Sequence, residues 1–581
     1  MRDWDLRYVF GVSGANIEHL HDAVHRRGKG RLTSIMARRE DGAAFMADCR
    51  ARVHRTLGVC CSTSGGAMMN LAVGLAESYA DSVPVLAVVG QSPLAADGQG
   101  AFQDSSGIGR TVDAVGLLSA VTKQTLRFTE PDDFWTTLRT AVTTALTGRP
   151  GPVALLLPRD VATMPVPPRP ADWPADLAAV IADRYGDLSG VDHLFDAIFQ
   201  AACPVLLLGQ GVRRSTNPGA VVRFAQRARI PVVTSMTARA EFPNDDPLYL
   251  GVVGMTGHPS AHEFVTHRAD LVVAVGTGLS MMTRASLDLR PDRVALVNID
   301  PAAVHLPAPP RLAVAADAGQ VFRCLQARFD AEPRRPGRPA DYQFRRFVPR
   351  LADQAPPITL DPSHKADDLL QSTALEILDA ALPPGGHTVF DAGNCAAAAL
   401  HLTSAPAQAT ATVALGAGGM GYSIPAAIGA QLGSAPGTRT TVVCGDGALL
   451  MNGLEIHTAV DLALPILFVV FNNQMHGMCV TRQQQFFDSR IECAQYGPLD
   501  VTTLARGLGS EDLLWTASAG TSAELRQHLD SYYQLPRPVP GVLELRLHYE
   551  QVPPYAALLP PQEPTYVVAR RTTATREGTP Q

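Results

Sequence analysis

Thr441 to Met478 constrains the fold more than any other stretch, and it reads TVVCGDGALLMNGLEIHTAVDLALPILFVVFNNQMHGM. An apolar β-branched run, Thr441 to Val443, delivers the chain into Gly445-Asp446-Gly447. A helical pattern follows to about Ala463, and a second apolar run, Ile466 to Phe471, ends on Asn472-Asn473. Two strands flanking a helix make a βαβ unit, so both strands are parallel and end on the same edge of a sheet. Asp446 and Asn473 are therefore expected to be neighbours. A carboxylate, an amide oxygen and a nearby backbone carbonyl form a hard-oxygen set. Such a set suits Mg²⁺, which takes few protein ligands and completes its shell with phosphate oxygens and water. Gly447 lets the backbone approach a phosphate, and a helix starting near Ala448 presents free N–H groups and a positive dipole end.

A GDG alone is usually a turn. GDG after a strand, with NN at this spacing ending the next strand, resembles the diphosphate and metal signature of thiamin-diphosphate (ThDP) enzymes. The resemblance implies that Asp446, Asn473 and the main-chain carbonyl of Met475 hold Mg²⁺. It also implies that Gly445, Gly447, Ala448 and Met478 lie against the cofactor. Further along, LGAGGMGYSIPAAIGAQLG resembles the family's GGLGTMGFGLPAAIGA. On that match Met420 wedges between the two cofactor rings, and the Gly418 carbonyl accepts from the 4′-amino group. Met420 could otherwise be core filler, since Met suits irregular gaps. The surrounding glycines, which permit close backbone approach, favour the cofactor role. Gly393-Asn394-Cys395, after the strand HTVFDAG, stands where the family makes backbone contacts to the diphosphate.

The opening part carries a second set of matches. REDGAAFMAD resembles the HEQGAAHMAEG segment of the acetolactate synthase group. Taken alone, Glu40 is a first-turn helix acid favoured by the dipole. On the match it is the carboxyl that contacts N1′ of the aminopyrimidine and favours the imino tautomer, which removes a cofactor proton at close range. LGVCCSTSGGAMMN resembles TSGPGATN, with Gly66-Ala67 in place of Pro-Gly, and QSPLAADGQGAFQDSS resembles the loop carrying AFQE. Phe102 and Gln103 would then line the reaction site, Gln103 as a donor to substrate, and Lys123 in VTKQTLRF matches a family lysine there. His476 is a candidate proton donor or acceptor near neutral pH. Arg482 stands where acetolactate synthases carry a tryptophan against the second 2-oxo acid. Its fixed fork suits a carboxylate or phosphate, so a more anionic acceptor or donor tail is expected.

At 581 residues the chain is too long for one core, and three domains are the natural count. The motifs and strand runs place them at 1–165, 185–332 and 367–550, with a flexible tail over 551–581. The Pro-rich stretch MPVPPRPADWPAD and the Pro/Arg-rich Pro333 to Ala366 act as linkers. Strands CPVLLLG, IPVVTSM, DLVVAVG and RVALVNI alternate with helical stretches in the middle region, so a doubly wound parallel sheet is expected there as in the flanking domains. The expected class is thus α/β, three doubly wound domains: ThDP pyrimidine-binding, central, and ThDP diphosphate-binding. Acetolactate synthases bind FAD centrally. Here GTGLSMMTR replaces their Arg-Phe-Asp-Asp sequence, which argues against FAD. The first strand, RYVFGV, begins at residue 7 without the helix that relatives place before it, so either the start lies further upstream or that helix is short.

A net charge of −6 with 18% charged residues argues against nucleic-acid binding, and no apolar run approaches the roughly 20 residues of a membrane span. Nine cysteines without repeated CxxC spacing fit reduced thiols, so a cytoplasmic location is expected. The resemblance implies a carboligase that removes CO₂ from a 2-oxo acid, pyruvate by family analogy, and passes the acyl carbanion equivalent to a carbonyl acceptor. Simple decarboxylation to an aldehyde and a non-catalytic subunit retaining the fold stay open. It also implies a homodimer or dimer of dimers, with Glu40 of one subunit and Asp446 of another acting on one cofactor.

Overall fold

The computed structural model describes residues 1, 4–181, 186–285, 287–332, 365–406, 408–551 and 566–568. Three six-stranded, all-parallel sheets follow one another along the chain. The first uses β1 Tyr8–Gly11, β2 Thr33–Met36, β3 Gly58–Ser62, β4 Val85–Gln91, β5 Gln124–Arg127 and β6 Val153–Pro158, in the order β2-β1-β3-β4-β6-β5. The second uses β7 Pro204–Leu208, β8 Val232–Thr234, β9 Tyr249–Val252, β10 Leu271–Val275, β11 Val294–Val297 and β12 Leu312–Val314, in the order β12-β11-β10-β7-β8-β9. The third uses β13 His387–Phe390, β14 Thr410–Val413, β15 Thr440–Gly445, β16 Ile466–Asn472, β17 Trp515–Ala519 and β18 Gly541–Arg546, in the order β14-β13-β15-β16-β18-β17. Central strands such as β7, β10 and β16 are buried along their whole length. Helices on both faces demand continuous apolar runs, which is why these strands stand out in the sequence.

One helix ties the first and third sheets into a common core. The Glu40–His54 helix is buried from Asp41 to Arg52, between the Gly66–Ala80 helix and the Ser423–Gln431 helix of the third domain. Small residues allow the approach: a Cβ on Gly429 would overlap the Met46 carbonyl, and one on Gly74 would overlap Ala44. The polar residues this helix buries satisfy one another. Arg52 pairs with Asp48 at 2.6 Å and Asp81 at 2.7 Å, and Asp48 also accepts from Tyr422 Oη at 2.6 Å.

The segment after Gly445 departs from the single helix expected. It forms a helix Asp446–Asn452, a 3₁₀ turn Gly453–Glu455 and a second helix Ile456–Asp461. The Pro-rich connector after β6 packs on the first domain, with Trp173 stacked on Trp4 and Trp135 Nε1 donating to the Pro167 carbonyl. Within the tail, Tyr566–Val568 pairs antiparallel with Tyr549–Gln551. Residues 552–565, 569–581 and the linker over 333–364 lie outside the described residues. Among the described residues no helix is long and apolar enough to cross a membrane.

Candidate functional site

In a parallel sheet every loop after a strand leaves at the carboxyl edge, and the candidates follow from that rule. In the third sheet β15 pairs with β16 from Thr440 opposite Ile466 to Gly445 opposite Phe471, so Asp446 and Asn473 emerge side by side. Asp446 Oδ1 accepts from Gly447 N at 2.9 Å and Oδ2 from Gln474 N at 2.6 Å. Asn473 Oδ1 accepts from Met475 N at 3.2 Å. Burial pushes the Asp446 carboxyl up to about 6, against the hydrogen bonds that lower it. Gln474 Oε1 is buried nearby in the chain without a partner. Among the described residues no three His, Cys, Asp or Glu side chains cluster as a metal cage. One carboxylate with neutral oxygens, completed by a phosphate, is a set that could hold Mg²⁺.

Gly393, Asn394 and Cys395 follow β13, adjacent to β15, and open the Asn394–Leu402 helix. Gly418 and Met420 follow β14, next in the row. Gly393 has φ +97° and Gly418 φ +70°, conformations that glycine adopts freely, and a Cβ on either meets nothing within 4 Å. Both therefore border open space. Asp391, at the end of β13, holds the end of the second loop, accepting from Gly421 N at 2.9 Å, Ser423 N at 2.8 Å and Ser423 Oγ at 2.7 Å. Gly445, Gly447 and Ala448 stand at the end of β15 and the start of the following helix.

The first sheet gathers its candidates the same way. Glu40 follows β2 and starts its helix, where Oε2 accepts from Asn70 Nδ2 at 2.9 Å. Gln103 follows β4 with φ +59°, and its side chain packs where a Gly65 Cβ would stand. Phe102 beside it is 78% exposed, so a ligand or a partner surface must cover it if it lines a site.

Lys123 and His476 stand away from the carboxyl edge of the first sheet. Lys123 precedes β5, at the amino edge of the sheet, opposite the edge of Glu40 and Gln103. Its Nζ donates to the Thr144 and Thr147 carbonyls, at 2.5 and 2.8 Å, and so caps the Phe134–Leu146 helix. His476 lies at the metal end: a Cβ on Gly447 would sit 2.7 Å from its Nδ1, and its ring meets Tyr496 edge-on at 5.5 Å. Met478 and Arg482 lie on the Gly477–Phe486 helix, where Arg482 is exposed, with Phe486 one turn on.

The middle sheet opens at its carboxyl edge on a cavity of about 930 Å³, bordered by Gln210 and Gly211, Gly276–Leu279 and Asn298–Asp300. Three cations border it. Arg214 donates to the Asp81 and Ser82 carbonyls, Arg149 to Ser82 Oγ and the Ala80 carbonyl, and Lys123 to the helix end described above.

Fold and site together define a class: residues 1–108 match the model of the thiamine pyrophosphate enzyme N-terminal TPP binding domain, 191–325 the central domain and 391–542 the C-terminal TPP binding domain. The chain belongs to the thiamine pyrophosphate enzyme family, in its acetolactate synthase-like branch. It is 31% identical over 517 residues to a probable acetolactate synthase large subunit of Methanocaldococcus jannaschii, covering 87% of this chain and 84% of the relative. It is 30% identical to the acetolactate synthase large subunit of Corynebacterium glutamicum, over 86% and 79% of the two chains. With acetolactate synthase isozyme 1 large subunit of Escherichia coli the identity is 28%, over 95% and 94%.

Proposed function

We propose that the protein is a ThDP- and Mg²⁺-dependent carboligase. It removes CO₂ from a 2-oxo acid, with pyruvate the first candidate, and joins the remaining acyl unit to a carbonyl acceptor. One observation carries this most directly: the carboxylate-bearing edge of the first sheet and the GDG…NN edge of the third are both built, on two domains that share one core. A scaffold that only retained the fold would have no use for both. The acetolactate synthase relatives favour ligation over aldehyde release.

When bound, ThDP supplies the nucleophilic carbon and stores the electron pair that CO₂ leaves behind. The protein's share is position and charge. Glu40 hydrogen-bonds the aminopyrimidine and holds a proton there, and Asn70 orients the Glu40 carboxyl. Gly418 and Met420 would lie against the cofactor rings. Asp446, Asn473 and the Met475 carbonyl would hold Mg²⁺, with His476 on the same side of the site. Gln103 donates to the substrate carboxylate, and Arg482 reads an anionic group on the acceptor. FAD is left out of the proposal, because GTGLSMMTR stands where the flavin-binding relatives carry Arg-Phe-Asp-Asp. A homodimer is part of the proposal. Met36, Met69 and Val73 near Glu40, and Leu450, Met451 and Leu454 after Asp446, are all at least 47% exposed, apolar area that a second copy would cover.

CO₂ release and product mass from a panel of 2-oxo acids, with ThDP and Mg²⁺ and with aldehyde or oxo-acid acceptors, test the proposal. Loss of the Glu40 acid–base function by Glu40→Gln is expected to cost on the order of 10²–10⁴-fold in turnover. Aldehyde as sole product would replace ligation with decarboxylation. An inert wild type that still binds ThDP across the panel would sink the enzyme reading.

A further inference from the structure

Two buried glutamates, each 1% exposed, reach out of their own domain and take backbone N–H groups from the other. Glu77, on the Gly66–Ala80 helix, accepts from Gly416 N at 3.0 Å, Ala417 N at 2.8 Å and Gly418 N at 3.2 Å, on the exposed loop that carries Gly418 and Met420. Glu455, in the turn after the Asp446–Asn452 helix, answers from the other side. Its Oε1 accepts from Arg38 N at 2.8 Å and Arg39 N at 3.0 Å, the two residues that lead into Glu40, and Oε2 accepts from Thr458 Oγ1 at 2.8 Å. The surroundings are shaped for these approaches. A Cβ on Gly42 would overlap Glu455 Oε1 and stand 2.9 Å from Cδ, and a Cβ on Gly416 would stand 2.6 Å from Ala80 Cβ.

Resting on the ThDP reading above, we propose that Glu77 and Glu455 are positioning residues, each fixing from the opposite domain one half of the cofactor site. Glu77 sets the loop against which the cofactor rings lie. Glu455 sets the entry of the helix that aims Glu40. In the proposed dimer the two halves that one chain carries serve different cofactors, and these contacts hold them in register with each other.

A carboxylate, not an amide, fits both places, because each faces hydrogen-bond donors and an ionised carboxylate only accepts. Around Glu77 stand Arg52 and Asp48 from the Glu40–His54 helix and Asp81 at the end of its own helix, with Tyr422, just before the Ser423–Gln431 helix, donating to Asp48. Arg214 of the central domain lies behind them, on the Asp81 carbonyl. Burial first and Asp81 second push the Glu77 carboxyl up to about 7. The acceptor-only form that the loop needs therefore fills as pH rises through neutrality.

The test is ThDP affinity with Mg²⁺ by equilibrium dialysis at pH 6 and pH 8, together with exchange of the C2 proton of bound ThDP into D₂O after acid quench, for wild type, Glu77→Gln and Glu455→Gln. Losing charge-assisted bonds at the loop is expected to weaken ThDP binding by Glu77→Gln about tenfold at pH 8. The same variant is expected to lose the affinity gain of wild type between the two pH values. Glu455→Gln is expected to leave affinity unchanged and slow C2 exchange about tenfold at saturating ThDP, since only the aim of Glu40 is disturbed. Where a glutamine variant fails to fold, Glu77→Asp or Glu455→Asp keeps the charge and is expected to move the same readout by a smaller factor. Variants that bind and exchange as wild type does overturn the proposal. So do variants that only lower the number of competent sites, with unchanged affinity and exchange in those that remain. A wild type that binds no ThDP overturns the ThDP reading itself, and the two failures are told apart by that measurement.

Discussion

Replacing Gly42 by alanine inverts an ordinary rule. Glycine in a helix costs about 1 kcal/mol against alanine, so Gly→Ala there normally stabilises. At Gly42 the new methyl would overlap Glu455 Oε1, and Glu455 is too buried to swing into solvent. The carboxylate must leave Arg38 N and Arg39 N, losing two hydrogen bonds to a charged group at roughly 1.5 kcal/mol each. Against the helix gain, the net is about 2 kcal/mol of lost stability. The assay is urea unfolding followed by circular dichroism, reading the first transition because a three-domain chain need not unfold in one step. Gly66→Ala is the control: it too lies in a first helical turn, and a Cβ there meets nothing within 4 Å. In a Glu455→Ala background Gly42→Ala is expected to cost nothing further, since neighbours that share a contact are not additive. If Gly42→Ala raises the midpoint as the control does, the account of Glu455 and the helix entry is wrong.

Arg52→Met leaves Asp48, Glu77 and Asp81 without their shared cation, and breaking such a buried cluster is expected to cost about 3–5 kcal/mol in the same unfolding assay. For Glu77 the folded carboxyl titrates at about 7 against an ordinary 4.5, so the native state binds the extra proton between those values. Its contribution to stability is therefore full below about 4.5 and declines as pH rises to about 7. Glu77→Gln is expected to gain melting temperature relative to wild type at pH 8 over pH 5, read by calorimetry at both. Arg482→Ala is expected to raise the apparent KM for an anionic acceptor about tenfold and leave an uncharged aldehyde unaffected, as loss of one charged hydrogen bond requires. Chelation of divalent ions is expected to abolish the rise in melting temperature that ThDP confers, measured by thermal shift with and without added Mg²⁺.

The strands most legible in sequence are those covered by helices on both faces, such as Leu271–Val275 and Ile466–Asn472. Sheet edges escape that logic. β5 (QTLR) and β17 (WTASA) carry polar or small residues among residues mostly half-buried, and β12 is a run of only three, because less covers them. β18 is central but hides Glu544 in its run, where it accepts from Asn472 Nδ2 at 2.6 Å and Ser518 Oγ at 2.8 Å. The GDG and NN pair is legible because strand ends and spacing are local. Lys123 misleads for the complementary reason, since a matching letter says nothing about which edge of the sheet it leaves. Glu77 and Glu455 were missed because each is one acid in an apolar helical stretch. Their partners lie 339 to 417 positions away, so no local pattern announces them. The one available signal was the oddity itself: an unpaired acid in a segment otherwise suited to a core.

The helix that opens on Glu40 has a history as well as a place. Its inward face is completed by residues that leave the ribosome much later: Asp48 and its partner Tyr422 are 374 positions apart. At roughly 5–20 residues per second, synthesis leaves that helix without its cover for about 20–75 s. Through that interval the nascent first domain offers an apolar helix to anything sticky nearby. Recovery of native protein is thus set by how well a newborn segment is shielded before its distant cover arrives.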